Sequence, residues 1–587
     1  MTKSTTVRLV ASFLFLLAFA AAQARGQEAA KLHELFDEAW EYNLREFPTN
    51  ATFVGDHRYD DRLPSLSFAD LARRNEADHK FLRRLETIDR AQLGVQDRIS
   101  YDMFARGLRE SIEDYRFKGY LIPLTADWGF HIGFARLPQQ VPLATVKDYE
   151  NYIARLRAFP TYVKQHIALL REGLATGMTL PRIILTGYEQ PIAEHVVEDP
   201  TESVFFAPFQ RFPQSVPVEA RDALRSAGRA TIEASVVPGY KAFLEFMVDE
   251  YMPGARPTIG AFELPDGPAY YAYLIKHFTT VEISAEEVHQ LGLAEVERIK
   301  AEMMAVIEEV EFDGGFAAFL SFLRSDPRFY AETPEDLLKE ASYIAKRMDG
   351  KLPSLFKTLP RLPYGVEPVP AALAPKFTGG RYIPSPTGST RPGYYWVNTY
   401  DLASRPLYTL TALTLHEAVP GHHLQFALSS ELEDLPEFRR YAYVDAFGEG
   451  WGLYSEWLGI EAGMYEDPYS DFGRLTYEMW RACRLVVDTG IQAFGWTRQQ
   501  AMDYLASNTA LSLHEVQTET DRYISWPGQA LAYKMGELKI RELRRRAEEA
   551  LGARFDVREF HDAVLANGTV PLMVLEDQIK AYIDARR

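Results

Sequence analysis

Apolar residues recur every three to four positions along most of the chain, which is the pattern of helices that bury one face. The first such stretch, residues 28–47, places Leu32, Phe36 and Trp40 on one side. Ser284 to Glu287 has the form of a capping box, and Thr333 followed by Pro334 is a typical helix start. The same period predicts helices near residues 68–90, 95–117, 146–176, 217–250, 284–310, 405–430, 436–462, 466–495, 498–509, 527–550 and 556–566. We therefore expect a mainly α fold.

Residues 352–403 interrupt this pattern, because they are rich in Pro, Gly, Thr and Tyr. Within them, Arg381-Tyr-Ile-Pro384 and Gly393-Tyr-Tyr-Trp-Val-Asn398 have the composition of short strands beside turns. A small β-sheet is therefore expected just before the helix at 405–430. Its edge either holds the backbone of an extended substrate or belongs to a purely structural hairpin.

The composition is that of an ordinary globular protein, with 47% hydrophobic and 25% charged residues among 587. There is no internal repeat and no clear linker, so residues 25–587 are predicted to form one large helical domain with two lobes around a deep cleft. The formal net charge of −18 argues against a nucleic-acid partner, which requires a basic face.

The N-terminus has the features of a secretory signal peptide. Lys3 and Arg8 precede an apolar segment, Leu9 to Ala22, that is too short for a lasting membrane span. Cleavage is expected after Ala24, which gives an exported, periplasmic or secreted protein with no stable span. No cysteine follows directly after this apolar segment, so a lipid anchor is not expected. The single cysteine, Cys483, can form no internal disulfide and is predicted to lie inert in the core.

Three of the thirteen histidines lie within eight residues, His416-Glu-Ala-Val-Pro-Gly-His-His423. A hydrolytic zinc helix commonly has two histidines four residues apart with a glutamate base beside the first. Here His422 and His423 are six and seven residues from His416, so neither shares a zinc ion with it on a straight helix.

Pro420 and Gly421 offer a way around this spacing. Pro420 cannot donate to the carbonyl of His416, and Gly421 tolerates unusual backbone dihedral angles. A local bulge after the first helical turn would bring a later histidine to the place of the second ligand. We favour His422 as that ligand over His423, and the other histidine would then support a ligand or contact substrate.

A catalytic zinc ion needs three protein ligands and an open position for water. The segment Asp445 to Glu456 supplies two glutamates on one helical face, Glu449 and Glu456. Glu449 is taken as the third ligand, because neighbouring glycines permit close helix approach. Glu456 is the alternative ligand or a group that supports one. Glu417 would be the general base.

Several stretches together make the sequence resemble a bacterial family, the domain of unknown function 885, regarded as predicted zinc metallopeptidases. The resemblance covers nearly the whole mature chain. Its motifs are Arg381-Tyr-Ile-Pro-Ser-Pro386, Arg391-Pro-Gly-Tyr-Tyr-Trp-Val-Asn398, His416 to Gln425, Gly448 to Glu456, Arg484-Leu-Val-Val-Asp-Thr-Gly490, Arg522 to Gly536 and Phe560-His-Asp562.

The resemblance implies a helical fold of the gluzincin type, with His416, His422 and Glu449 at one Zn²⁺ ion and Glu417 as base. Gln492 is a departure, since relatives often carry His there. For the oxyanion of the reaction, Tyr523 is the first choice of hydrogen-bond donor, with Tyr533 and His561 as alternatives. Arg522 and Lys534 are candidates for binding a substrate carboxylate, and His423 for contacting substrate.

These residues predict a zinc-dependent peptidase that acts on short peptides, in the manner of a carboxypeptidase or dipeptidase. The same chemistry would serve a zinc amidase or deacetylase on non-peptide acyl amines. A third reading is an exported binding protein without catalysis, against which the presence of Glu417 argues.

Overall fold

The structure is a computed structural model that describes residues 26–371, 373–387 and 390–587, so the predicted signal peptide lies outside it. Among the described residues, the fold is mainly α-helical, as predicted. Helices of eight or more residues are, in order, α1 (26–46), α2 (Phe68–Leu85), α3 (Val95–Phe117), α4 (Val146–Thr176), α5 (Val218–Thr231), α6 (Val237–Phe246), α7 (Gly267–Thr279), α8 (Ala285–Glu309), α9 (Phe316–Ser325) and α10 (Pro334–Asp349). The C-terminal half adds α11 (Leu410–Glu417), α12 (His422–Ser430), α13 (Asp445–Glu461), α14 (Pro468–Gln492), α15 (Arg498–Asn508), α16 (Leu513–Ser525), α17 (Ala532–Leu551), α18 (Val557–Leu565) and α19 (Leu572–Asp584).

Shorter helices lie between these elements, at Pro48–Phe53, Phe130–Ala135, Leu137–Gln140, Gln190–Ala193, Ala207–Gln210, Met252–Gly254, Leu352–Leu355 and Glu437–Arg440. Two π turns, Ile232–Val236 and Met247–Tyr251, interrupt the run that begins with α5. Within the described part of the chain, no helix is both long and apolar enough to cross a membrane.

Local sequence signals place several helix ends correctly. Ser284 and Glu287 form the predicted capping box at the start of α8, in which each side chain bonds the other residue's backbone N–H. Thr333 caps α10, and Pro334 is its first residue. Such caps satisfy backbone N–H groups that a helix leaves unpaired at its first turn.

The predicted strands are present, and a third strand joins them. The sheet has the order β1-β3-β2, from strands β1 (Tyr364–Pro368), β2 (Gly380–Ile383) and β3 (Gly393–Val397). β2 and β3 are antiparallel, with Tyr382 opposite Tyr395, whereas β1 runs parallel to β3. β2 is therefore an edge strand, and its free edge faces the end of α11.

Glycines allow two pairs of helices to pack very closely. On α13, a Cβ at Gly450 would lie 2.5 Å from the Cα of Gly536 on α17, and one at Gly536 would lie 1.7 Å from the carbonyl oxygen of Ala446. On α8, a Cβ at Gly292 would lie 2.7 Å from the Cβ of Leu485 on α14. These contacts hold α13 and α14 in the main apolar core, whose residues come from chain positions 103 to 583.

Candidate metal centre

The helix predicted over 405–430 is two helices, and the break between them contains the Pro-Gly pair. α11 ends at Glu417, Ala418 leaves helical geometry with ψ −110°, and α12 begins at His422. The prediction of a bulge within one continuous helix is therefore wrong. A helix stop and restart, with Gly421 N–H donating to the carbonyl of Leu415 at 3.0 Å, produces the same change of direction.

Gly421 is needed for close approach. A Cβ at this position would lie 1.9 Å from the carbonyl oxygen of His416, so no larger residue fits without moving the break. The indole N–H of Trp451, on α13, donates to the carbonyl of Pro420 at 2.8 Å. This bond satisfies a buried carbonyl and ties the break to the helix that supplies Glu449.

The break brings His416 and His422 together, and Glu449 meets both. Glu449 Oε2 lies 3.5 Å from His416 Nε2 and 3.3 Å from His422 Nε2. One donor atom from each of the three residues lies within 4.8 Å of the others. The structure thus assembles the three residues that were predicted to be metal ligands, from α11, α12 and α13.

Glu456 supports His416 from behind. Its Oε1 accepts from Nδ1 of His416 at 2.8 Å and pairs with Arg481 Nη2 at 3.2 Å. Since Nδ1 is held in this way, Nε2 is the nitrogen that faces Glu449. Gly452 makes room for the imidazole, because a Cβ there would lie 2.6 Å from Nε2.

His422 and His423 have separate environments. Nδ1 of His422 faces the side-chain oxygen of Gln425 at 3.4 Å, which leaves Nε2 for the cluster. His423 instead turns toward the sheet, where its Nδ1 lies 3.1 Å from the Tyr382 hydroxyl and its ring packs against Tyr364. The cluster therefore contains His422, and His423 contacts Tyr382.

Glu417 is buried next to the cluster and is held by the edge strand. Its Oε2 accepts from the backbone N–H of Tyr382 at 2.7 Å. Tyr382 is on β2 opposite Tyr395, so this N–H belongs to the free edge of the strand. The strand that the sequence placed before the helix thus contacts the predicted base directly.

The electrostatic character of the cluster favours a positive charge. Burial lowers the pKa of His416, but its contacts with Glu449 and Glu456 outweigh burial and raise that pKa to about 9. Burial likewise raises the pKa of Glu449, yet the two histidines bring it well below its ordinary value. Two carboxylates around His416 therefore stabilise a proton or another cation at its Nε2.

Of the predicted donors, Tyr533 lies near the cluster and Tyr523 does not contact it. The ring of Tyr533 stacks on His416 with centroids 6.2 Å apart, and its hydroxyl accepts from Arg522 at 3.1 Å. The hydroxyl of Tyr523 accepts from Trp480 at 2.7 Å and from Arg484 at 2.9 Å. Because these groups satisfy its hydroxyl, Tyr523 can lie fully buried in the core.

Arg522 is linked to the cluster through Tyr533, because it donates to the hydroxyl of the ring that stacks on His416. Its guanidinium also pairs with Glu519 at 3.3 Å and donates to the Gln529 side chain at 2.6 Å. It lies at the edge of the site, among groups that satisfy its donors.

Lys534 and His561 are not brought to the cluster. Lys534 Nζ is fully buried between Glu295, Glu478 and Glu537, at 2.9 to 3.0 Å from each. The ring nitrogens of His561 are taken by the Tyr454 hydroxyl and the carbonyl of Leu355, each at 2.8 Å. Burial lowers the pKa of His561 to about 3.

Gln492 and Cys483 have structural environments. Gln492 accepts from the backbone N–H of Ala261 and donates to the carbonyl of Tyr523, both at 2.7 Å. Cys483 is buried in α14, and burial raises the pKa of its thiol. Neither residue contacts the cluster.

Sequence reasoning missed Tyr382, Gln425 and Tyr443 as neighbours of the cluster. Tyr443 lies close enough to Glu449 for an electrostatic interaction between the two side chains. Tyr382 and Gln425 lie within family motifs and could have been identified from them, whereas Tyr443 lies five residues before the motif that begins at Gly448.

The fold and the cluster define a mainly helical protein with two histidines and one glutamate arranged as a candidate metal centre. The chain belongs to the family described as "Bacterial protein of unknown function (DUF885)", whose model matches residues 48–579. No curated protein matches the sequence.

Two solved structures are similar to this chain. One is described as a "putative lipoprotein" from Colwellia psychrerythraea, with 29% identity, a TM-score of 0.88, and coverage of 96% of this chain and 99% of its own. The other is described as a "putative lipoprotein of unknown function" from Shewanella oneidensis, with 17% identity, a TM-score of 0.70, and coverage of 94% and 99%. The second likeness concerns the fold alone.

Proposed function

We propose that the protein is a zinc-dependent peptidase of the gluzincin type that acts on short peptides. The observation that carries the proposal is the convergence of His416, His422 and Glu449 beside Glu417. Two ligands at about 2.1 Å from a tetrahedral zinc ion are about 3.4 Å apart. The separations of Glu449 Oε2 from the two imidazole nitrogens are 3.5 and 3.3 Å, which suits one such ion.

The hydrogen-bond partners of His416 and His422 are also of the kind found around zinc ligands. A histidine ligand of zinc commonly donates its other ring N–H to a carboxylate or amide oxygen. Glu456 does this for His416, and Gln425 does it for His422. When bound there, zinc would supply an activated water with a pKa near 7 and would polarise a substrate carbonyl.

Glu417 is the proposed general base and acid. Because its Oε2 is held by the Tyr382 N–H, the other oxygen is the one proposed to accept the proton of the attacking water. The same oxygen would then return that proton to the leaving amine. Tyr533, which stacks on His416, is proposed as hydrogen-bond donor to the developing oxyanion in place of Tyr523.

We also propose export of the protein. The supporting observations are the signal-like N-terminus and the description of the relative from Colwellia psychrerythraea as a putative lipoprotein. The only cysteine of this chain is Cys483, buried in α14, so a lipid on cysteine is not part of the proposal.

Metal analysis and peptide hydrolysis test the proposed function together. The purified protein should hold about one zinc ion per chain, and cleavage of dipeptides and tripeptides should be lost on chelation and restored by zinc. Glu417→Gln should retain zinc and lose at least about a hundredfold in kcat. Full activity in Glu417→Gln, or cleavage that chelator leaves unchanged, would contradict the proposal.

A further inference from the structure

A cavity of about 90 Å³ opens beside the candidate metal centre. We call it the aromatic cavity. Its walls come from β2, the loop after β2, α12 and the segment before α13, and they include Tyr382, Ser385, Gln425, Phe426, Tyr441 and Tyr443. A larger cavity of about 430 Å³, lined by Ser111 among others, lies elsewhere. His416, His422 and Glu449 line neither cavity, but Gln425, which faces His422, and Tyr382, which bonds Glu417, line the aromatic cavity.

Three walls of the aromatic cavity each touch a different member of the site. Tyr382 donates its backbone N–H to Glu417. The Phe426 ring lies 6.1 Å from the His422 ring, and Tyr443 is close enough to Glu449 for an electrostatic interaction. When the scissile carbonyl of a substrate lies at the cluster, the side chain next to the cleaved bond can therefore reach this cavity.

The cavity also contains an unsatisfied hydrogen-bond donor. Gln425 lines it and is 4% exposed. The side-chain oxygen faces His422 Nδ1, which must carry the hydrogen if Nε2 binds metal, so the amide nitrogen is assigned to the other side. That nitrogen, Nε2, has no hydrogen-bond partner among the residues that the structure describes. A buried amide N–H₂ without a partner is costly, and a ligand oxygen would satisfy it.

The size and charge of the cavity limit what fits. Phe426 and Tyr443 stack with centroids 5.5 Å apart, and Tyr382 packs on Phe426 at 5.7 Å, so aromatic rings form one side of the cavity. Its volume of about 90 Å³ suits one side chain rather than a larger group. Among its described lining residues, the charged group is Arg440, which already bonds Glu437 and the carbonyl of Ser430.

We propose that the aromatic cavity binds one compact aliphatic side chain of the substrate, of valine or leucine size, while Gln425 Nε2 donates to a carbonyl oxygen of the same residue. This inference rests on the proposed function, because it takes the cluster as the place of the scissile bond. It adds a substrate class: peptides with a branched aliphatic residue next to the cleaved bond.

Binding of N-acetyl-leucinamide and N-acetylglycinamide tests the proposal without turnover. Both dissociation constants are measured by ligand-observed NMR on full-length Glu417→Gln, so neither amide is consumed. The leucine compound should bind at least about tenfold more tightly, as expected for burial of its side chain. Equal affinities, or no binding of either compound, would overturn the proposal.

Two further variants test whether the preference for the leucine compound arises in the aromatic cavity. In the same background, Ser385→Leu narrows the cavity from a partly exposed loop and should abolish the preference for leucine. Ser111→Leu, which lines the larger cavity, is the matched control and should leave the preference intact. If both variants or neither change the preference, the aromatic cavity is not the binding site.

Gln425→Glu tests the donor separately. It keeps an oxygen for His422 but replaces the N–H₂ group, so both amides should bind about tenfold more weakly while the preference for leucine persists. Unchanged affinities would remove Gln425 from the proposal. Loss of peptide cleavage in every assay, with the leucine preference intact, would reject the peptidase function and leave the cavity as a binding site.

Discussion

Nδ1 of His416 lies 2.8 Å from Oε1 of Glu456, and this contact determines which ring nitrogen faces Glu449. Glu456 is 1% exposed, and within the described part of the chain its other oxygen, Oε2, has no hydrogen-bond partner. The Glu456 side chain is therefore held in the interior between His416 and Arg481, whose Nη2 lies 3.2 Å from the same oxygen, Oε1. This arrangement is expected for a group that supports a metal ligand.

Glu456→Gln should weaken zinc binding by about tenfold or more, because the amide oxygen accepts from Nδ1 but no longer adds a negative charge. Zinc affinity is measured by competition with a chromophoric chelator. Glu515→Gln is the matched control, since Glu515 is also buried and paired, with Arg405 at 3.0 Å, but lies away from the cluster. Equal affinities in wild type and Glu456→Gln would remove this role.

Gly421→Ala should destabilise the break between α11 and α12, because the new methyl group would meet the carbonyl oxygen of His416. We expect a loss of about 1–3 kcal/mol in the free energy of unfolding together with weaker zinc binding. Gly107→Ala, in the middle of α3 with no atom within 4 Å of its Cβ, should instead raise stability by about 0.5–1 kcal/mol. Chemical denaturation of both variants measures the contrast, and similar effects of the two would contradict it.

Much of the helical fold could be predicted, because long amphipathic helices carry a strong period. α3 and α4 begin and end at the predicted residues. By contrast, α7, α9, α16, α19 and β1 were missed. In α11 every residue from Leu410 to Glu417 is buried, so the period marks no face and gives no sign of where the helix ends.

The convergence of His416, His422 and Glu449 was predictable, but the positions of several other candidate site residues were not. His416, His422 and Glu449 carry their chemistry in local motifs, which needed only a change of direction at Gly421. The roles of Lys534 and Tyr523 depend on partners from distant segments. Lys534 meets Glu295, 239 positions earlier in the chain, and Tyr523 meets Arg484 on another helix. No local sequence pattern predicts such long-range pairs.

Lys534→Met should lower the stability of the protein without changing how the folded protein binds substrate. Removing the ammonium leaves Glu295, Glu478 and Glu537 crowded in the interior, and loss of one member of a buried ion cluster costs about 3–5 kcal/mol. Lys539→Met, on the same helix but partly exposed, is the control and should have a much smaller effect. Melting temperature and KM are measured in parallel. A large rise in KM with normal stability would restore Lys534 as a substrate ligand.

Asp488 should make stability depend on pH. Burial raises its pKa to about 7, although its carboxylate accepts from the Tyr271 hydroxyl at 2.6 Å and the Gly528 N–H at 3.1 Å. The unfolded chain ionises this group near pH 4, so the folded state binds the proton more tightly. Its contribution to stability is therefore greatest below about pH 4 and is lost as the pH rises toward 7.

Asp488→Asn removes this titration while keeping an oxygen for both donors. Relative to wild type, the variant should gain stability as the pH rises from about 4 to about 7, by up to about 4 kcal/mol, and the difference should then level off. Urea denaturation at a series of pH values measures it. Asp521→Asn, which loses a partly buried pair with Arg498, serves as the control. A constant difference between Asp488→Asn and wild type across this range would show that Asp488 stays ionised in the folded protein.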